Sequence, residues 1–258
     1  MAVHPTAIID PSAKISDSAV IGPYCVIGAD VEIGARTELK SHICVEGPIR
    51  IGEDNFFYPY SSIGGEPQDL KFHGERTSTE IGNRNKFHEF VTIHRGTEGG
   101  GGVTRIGDDN FLQAYVHVAH DVQVGNHTML GHAVTFAGHV TVKDWAWIGA
   151  YTGVHQFCTI GRHSFVGGYS VVTQDIMPFS TTVSERVIKT FGANKVGLER
   201  RGFPKETVDN LQTALRLLSH SKLNTSQAIE KILEEIPPCE EIDELIQFIR
   251  ASQRGVVK

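Results

Sequence analysis

The chain has 258 residues and a mass of 28.3 kDa, and its 24 lysines and arginines against 30 aspartates and glutamates leave a formal net charge of -6. An acidic balance argues against a general nucleic-acid binder, and no apolar run approaches the ~20 residues needed to span a bilayer. The four cysteines, Cys25, Cys44, Cys158 and Cys239, lie far apart with no CxxC pair, so they read as reduced thiols and not as a disulfide frame or a zinc site.

At the start of the chain, Met1 to Pro11 lacks the basic-then-apolar pattern of a secretory signal, and a cytoplasmic protein is expected. A ladder begins at Val3. Val3, Ile9, Ile15, Ile21, Ile27, Ile33, Leu39, Val45, Ile51, Phe57 and Ile63 form an unbroken series with a period of six. A second series runs from Ile106 through Leu112, Val118, Val124, Leu130, Phe136, Val142, Ile148, Val154, Ile160 and Val166 to Val172. With the ladder residue called i, position i-2 is small or β-branched, as in Ala19, Cys25, Val31, Thr37, Val122, Thr128, Ala146 and Ser164. Side chains alternate across a strand, so i and i-2 share one face. A short strand that buries two residues, followed by a turn helped by glycine as in Ile21-Gly22 or Leu130-Gly131, predicts the coil of a parallel β-helix. Three hexapeptides would make one turn of about 18 residues.

Two stretches break the ladder. Residues 66–79, EPQDLKFHGERTST, place polar residues on the rungs and read as a loop thrown out from the coil. Near 95–104 the register slips by one residue across RGTEGGGGV, a second and flexible excursion. Insertions in repeat proteins often carry function. The repeat fades after about Met177, and from Pro204 the period becomes helical. Three apolar stripes follow, around Val208–Leu218, Ala228–Leu233 and Ile242–Ile249. Pro204 suits a first helical turn, Asn224 with Gln227 signals an N-terminal cap, and Pro237-Pro238 separates the last two helices. The expected organisation is a β-helix over 1–190 and an α-helical domain over 191–258, the latter capping the open end of the coil.

Of 13 histidines, none that falls on the two ladders occupies i or i-2, so those side chains should point outward. Seven lie between 117 and 163. An 18-residue turn stacks His120, His139 and the His155-Gln156 pair along one edge of the prism, with His117 on the strand leading to that corner. His127 and His132, five apart, are the nearest approach to a metal pair, but zinc needs three convergent ligands. No metal is expected.

The segments QDLKF (68–72), VTIHRGT (91–97), VHVAHD (116–121), FAGHV (136–140), VHQFC (154–158) and GLERRGF (197–203) resemble the UDP-N-acetylglucosamine acyltransferases, and the resemblance runs over nearly the whole chain. It implies an all-β, left-handed parallel β-helix with a C-terminal helical domain, an exception to the usual right-handed crossover. It implies transfer of a 3-hydroxyacyl chain from acyl carrier protein to the 3-hydroxyl of UDP-N-acetylglucosamine, the first step of lipid A biosynthesis, by a homotrimer without cofactor. A 3-amino acceptor sugar is left open. A metal-dependent β-helix like the γ-type carbonic anhydrases is the rival of another class.

Residue by residue, the resemblance makes His120 the general base, a role imidazole suits because a sugar hydroxyl is a weak nucleophile at neutral pH. Asp121 matches the assisting acid, although neighbours on an extended strand point apart and direct pairing needs the corner to bend. The Gly138 amide matches an oxyanion donor. Asp69, Lys71, His117, His139, His155 and Gln156 match substrate contacts, and Asn194 and Arg200 match nucleotide contacts. Where the family often has an acidic residue two places after this asparagine, Val196 stands here. Gly168, two residues past the rung at Val166, matches the position that limits acyl length. Lys195, Arg201 and Lys205 belong to a local basic patch suited to docking the acidic carrier protein.

Overall fold

The computed structural model describes residues 2–184, 190, 192–252 and 256. The chain divides into two compact units, 1–184 and 185–258. The boundary expected at 190 adjoins residues 185–189 and 191, which lie outside the described residues.

The first unit is a coil of short strands, most of them two residues long, in three parallel sheets of ten, nine and eight strands. Consecutive strands belong to different sheets, and each strand pairs with the one a full turn later: Ala2–Val3 with Val20–Ile21, Ile8–Ile9 with Val26–Ile27, Lys14–Ile15 with Glu32–Ile33. The sheets are therefore the three sides of a prism. The two inward positions read from the sequence are buried together, as Ala19 with Ile21, Val116 with Val118 and Val122 with Val124. Removing such pairs from water on every rung is what holds the coil together. Inside the coil, Phe57 stacks on Phe87 at 4.4 Å. Their i-2 partners form a buried polar ladder: Asn55 Oδ1 accepts from the Asn85 N–H at 3.0 Å, and Asn85 Oδ1 from the Asn110 N–H at 2.8 Å.

The corners differ from expectation in one respect. The left-handed residue of each turn is three places past the rung and is mostly not glycine: Tyr24, Arg36, Asp121, His139 and Trp145 all have φ between 55 and 63°. Its N–H donates to the preceding coil, to a carbonyl as His139 does to His120 at 3.1 Å or to a hydroxyl as Tyr24 does to Thr6 Oγ1 at 3.0 Å, which offsets the cost of that conformation. The glycines one place past the rung serve close packing between coils instead. A Cβ on Gly22 would lie 1.8 Å from the Lys40 carbonyl oxygen.

The coil also runs further than the fading repeat suggests. Pro178 stands where the next rung would fall and has no N–H to give to the ladder. Ile176 bridges Ile160 in its place, and Thr181–Thr182 adds a final strand beside Phe165–Val166. Both excursions leave from one corner, between the nine- and eight-stranded sheets. The first makes a turn of 30 residues and the second a turn of 25, where 18 is the rule. The second is an ordered loop with a 3-10 turn at Glu98–Gly100, closed by N–H bonds from Gly100 and Gly102 to the Thr97 carbonyl.

The second unit contains α1 (Lys195–Arg200), α2 (Lys205–His220), α3 (Thr225–Glu235) and α4 (Glu240–Ala251). The short α1 was not legible as a period, and Pro204 is the N-cap of α2, one place before its first turn. Asn224 and Gln227 form the expected capping box on α3. Ala214, Leu218, Ala228, Ile232, Ile242 and Ile246 make the buried core of this unit. Among the described residues, no helix is long and apolar enough to cross a membrane.

Candidate active site

His120 stands two residues past the strand His117–Val118, at the corner from which both excursions leave. Asp121 is the left-handed residue of that corner, with φ at 62°. The bend brings Asp121 round to its neighbour, and His120 Nδ1 lies 2.8 Å from Asp121 Oδ2. A carboxylate accepts and does not donate, so Nδ1 carries the proton of this contact, which in the neutral ring leaves the lone pair on Nε2. The His120 side chain is 14% exposed and that of Asp121 is fully buried.

One coil further on, Gly138 takes the place of His120 and His139 that of Asp121. A Cβ on Gly138 would lie 2.5 Å from His120 Cε1 and 2.7 Å from Nε2, so glycine is what leaves room for the imidazole. The Gly138 N–H enters no hydrogen bond among the described residues. The His139 ring meets His120 edge-on at 5.1 Å and stacks on Phe157, from the next coil, at 4.5 Å. His155 and Gln156 share that next corner, with His155 Nδ1 3.1 Å from the Gln156 carbonyl oxygen.

The Asp121 carboxylate is enclosed by the second excursion. Thr97 reaches it twice, through its N–H to Oδ1 at 2.9 Å and through its hydroxyl to Oδ2 at 2.6 Å. The Asp121 N–H donates to Thr104 Oγ1 at 2.8 Å. A Cβ on Gly100 would fall 2.0 Å from the carboxyl carbon. These residues were missed as a site in the sequence. The signal was available: the lengthened turn pairs Ile93 with Val118, which sets the glycine-rich stretch directly beneath Asp121.

His117 projects from the outer face of the same strand, half-buried. Thr92 Oγ1 is 2.7 Å from its Nδ1, and the His94 ring is edge-on at 5.3 Å. Burial, with the neighbouring His94 adding to it, pushes the His117 imidazole down to about 4. Asp69 and Lys71 share one turn of the first excursion, where Asp69 Oδ1 accepts the Lys71 N–H at 3.0 Å. That loop is tied down by Arg95 over the Phe72 ring at 5.3 Å and by the Arg95–Glu66 pair at 3.2 Å. Gly168 is exposed on a different edge, between the ten- and nine-stranded sheets, beside the stacked Tyr151 and Tyr169.

In the second unit, Asn194 caps α1 by accepting the Gly197 N–H at 3.1 Å, and Arg200 ends that helix. Lys195 lies 3.8 Å from Asp209, while Arg201 and Lys205 are exposed at the start of the next turn and helix.

His127 and His132 do not converge. His127 stacks on Trp145 at one edge and His132 lies between Tyr115 and Tyr151 at another. Ligand atoms of His120, Asp121 and His139 do lie within 4.8 Å of one another. The oxygens of Asp121 are already occupied by Thr97 and His120, so these groups fit an acid–base pair better than a metal site.

A coil of hexapeptide rungs carrying an imidazole–carboxylate pair on one corner is the build of a hexapeptide-repeat transferase, and the profile of the bacterial transferase hexapeptide, six repeats, matches residues 104–138. Residues 175–257 match the second domain of the UDP-N-acetylglucosamine O-acyltransferases. The chain is 46% identical over 212 residues to the acyl-[acyl-carrier-protein]--UDP-N-acetylglucosamine O-acyltransferase of Burkholderia lata, covering 81% of this chain and 80% of that protein. The protein of the same name from Xylella fastidiosa is 44% identical over 80% of this chain and 78% of its own length. Among solved structures, the UDP-N-acetylglucosamine O-acyltransferase of Moraxella catarrhalis is similar over 100% of both chains, at 43% identity and a TM-score of 0.71. The chain belongs to the acyl-[acyl-carrier-protein]--UDP-N-acetylglucosamine O-acyltransferase family. The coil is accordingly a left-handed parallel β-helix.

Proposed function

We propose that the protein transfers a 3-hydroxyacyl chain from acyl carrier protein to the 3-hydroxyl of UDP-N-acetylglucosamine, the first step of lipid A biosynthesis, with His120 as general base. The observation that carries the mechanism is the 2.8 Å contact between His120 Nδ1 and Asp121 Oδ2, which turns the basic Nε2 toward Gly138. His120 Nε2 accepts the proton of the sugar hydroxyl as its oxygen attacks the thioester carbonyl. The Gly138 N–H receives the oxyanion of the tetrahedral intermediate. Collapse breaks the carbon–sulfur bond, and the imidazolium returns its proton to the departing thiolate. Lys71 offers a point charge to the diphosphate. Asp69, His117, His139, His155 and Gln156 hold the sugar and acyl headgroup, and Asn194 and Arg200 the nucleotide. Lys195, Arg201 and Lys205 dock the acidic carrier. No cofactor takes part, and the reaction belongs to the cytoplasm.

The working assembly in this proposal is a homotrimer with sites between subunits. His120 and Gly168 lie on different edges of one prism, and one acyl groove that touches both needs a second copy.

The test incubates the protein with UDP-N-acetylglucosamine and a panel of 3-hydroxyacyl carrier thioesters and reads the product by mass spectrometry. A singly acylated UDP-sugar whose acyl group is released by mild alkali is expected. An alkali-stable product formed only from the 3-amino sugar would overturn the choice of acceptor, and no acyl product would overturn the reaction. His120→Ala should lower kcat by about 10²–10⁴-fold with the fold intact, and turnover near wild type would remove His120 as the base.

A further inference from the structure

We propose that Thr97, on the second excursion, is the positioning residue of the His120–Asp121 pair. The inference rests on the reaction proposed above. The Asp121 carboxylate is fully buried, so its oxygens need the donors built around them. Three are present: the Thr97 N–H on Oδ1 at 2.9 Å, the Thr97 hydroxyl on Oδ2 at 2.6 Å, and His120 Nδ1 on Oδ2 at 2.8 Å. One residue thus holds both oxygens and fixes the plane of the carboxylate. That plane in turn fixes the tautomer and the direction of the imidazole.

Thr97 is itself held in place. It is 8% exposed, and its carbonyl accepts the N–H groups of Gly100 at 3.1 Å and Gly102 at 2.8 Å. Gly100 lies so close to the carboxylate that any side chain there would collide with it. Gly96 and Gly100 therefore let the backbone close over the carboxylate. A hydroxyl hydrogen at this position has a carboxylate oxygen as its acceptor, and losing it leaves Oδ2 bonded to His120 alone. The carboxylate is then held by one donor on each oxygen, and the imidazole loses part of the support for the orientation in which Nε2 meets the acceptor hydroxyl.

Thr97→Val keeps the shape and removes the hydroxyl, and Thr97→Ser restores it. The valine variant is expected to lower kcat about 10- to 100-fold with KM for both substrates within about twofold, and serine to recover to within about threefold. Gly100→Ala, which forces the loop off the carboxylate, is expected to lower kcat in the same way. The imidazole nitrogens give a readout independent of turnover. Nitrogen-15 shifts of His120 should show one tautomer, protonated at Nδ1, in the wild type and a mixture in the valine variant. Wild-type kcat in Thr97→Val, equal impairment in valine and serine, or KM rising as much as kcat falls would overturn the proposal, and so would an unchanged single tautomer. If the wild type transfers no acyl group while the tautomer shifts as described, the reaction fails and the positioning role stands.

Discussion

At the scale of single residues, Asp121 reaches His120 only because the corner takes a left-handed turn at φ 62°, a conformation in which a carboxylate folds back on its own neighbour. The outward edge of His120, Gly138, His139, His155 and Gln156 follows from counting eighteens in the sequence, since a rung fixes which way each later residue faces. Thr97 could not be counted in that way, because its height depends on how a loop of irregular length closes. His117 yields a pH prediction. Its folded value of about 4 lies below the ordinary imidazole value of about 6.5, so as pH falls the unfolded chain takes up the proton first. The stability is complete above about 6.5 and is drawn down between there and about 4. His117→Gln should therefore lose less stability than wild type between pH 7.5 and 4.5 in urea unfolding. An equal loss in both forms would show that His117 is protonated as readily in the fold as out of it.

At the scale of elements, the hexapeptide was legible because both inward positions carry the pattern, i and i-2 together. The role of its glycines was not, because hydropathy does not report how closely two coils approach. Gly22 lies against the backbone of the next coil, whereas a Cβ on Gly153 would meet nothing within 4 Å. Gly22→Ala is expected to destabilise by roughly 1–3 kcal/mol, as overpacking does, and Gly153→Ala to be neutral or slightly stabilising. Thermal midpoints of the two variants decide this, and equal midpoints would return the glycines to a purely conformational role. The last rung shows the same limit. The repeat fades in the sequence after about Met177, but the ladder passes through Ile176 and continues to Thr182.

At the scale of the molecule, the division into coil and helical unit was visible as a change of period from six to 3.6, while α1 was too short to show one. In the proposed trimer the length of the acyl chain is set between copies. A Cβ on Gly168 would sit 3.0 Å from the Ala150 carbonyl oxygen, close but tolerable, and the position is open to solvent. Gly168→Met should fill the end of the groove and move the kcat/KM optimum from a long donor to a shorter one. A panel of carrier thioesters measures this, and an unchanged ranking in a folded variant would leave the ruler elsewhere.

Both excursions arise at one corner, and the strands that follow them stay in ladder register, Ile51 beside Ile81 and Ile81 beside Ile106, while the strands that lead into them slip by one residue where Gly65 pairs with His94. The frame is therefore indifferent to what is inserted there. Loops of other lengths and chemistries could be grafted at this vertex with the register slip confined to the end of the entering strand. A new acceptor sugar could then be selected for by exchanging the first segment alone, while the second keeps the Thr97 that holds Asp121.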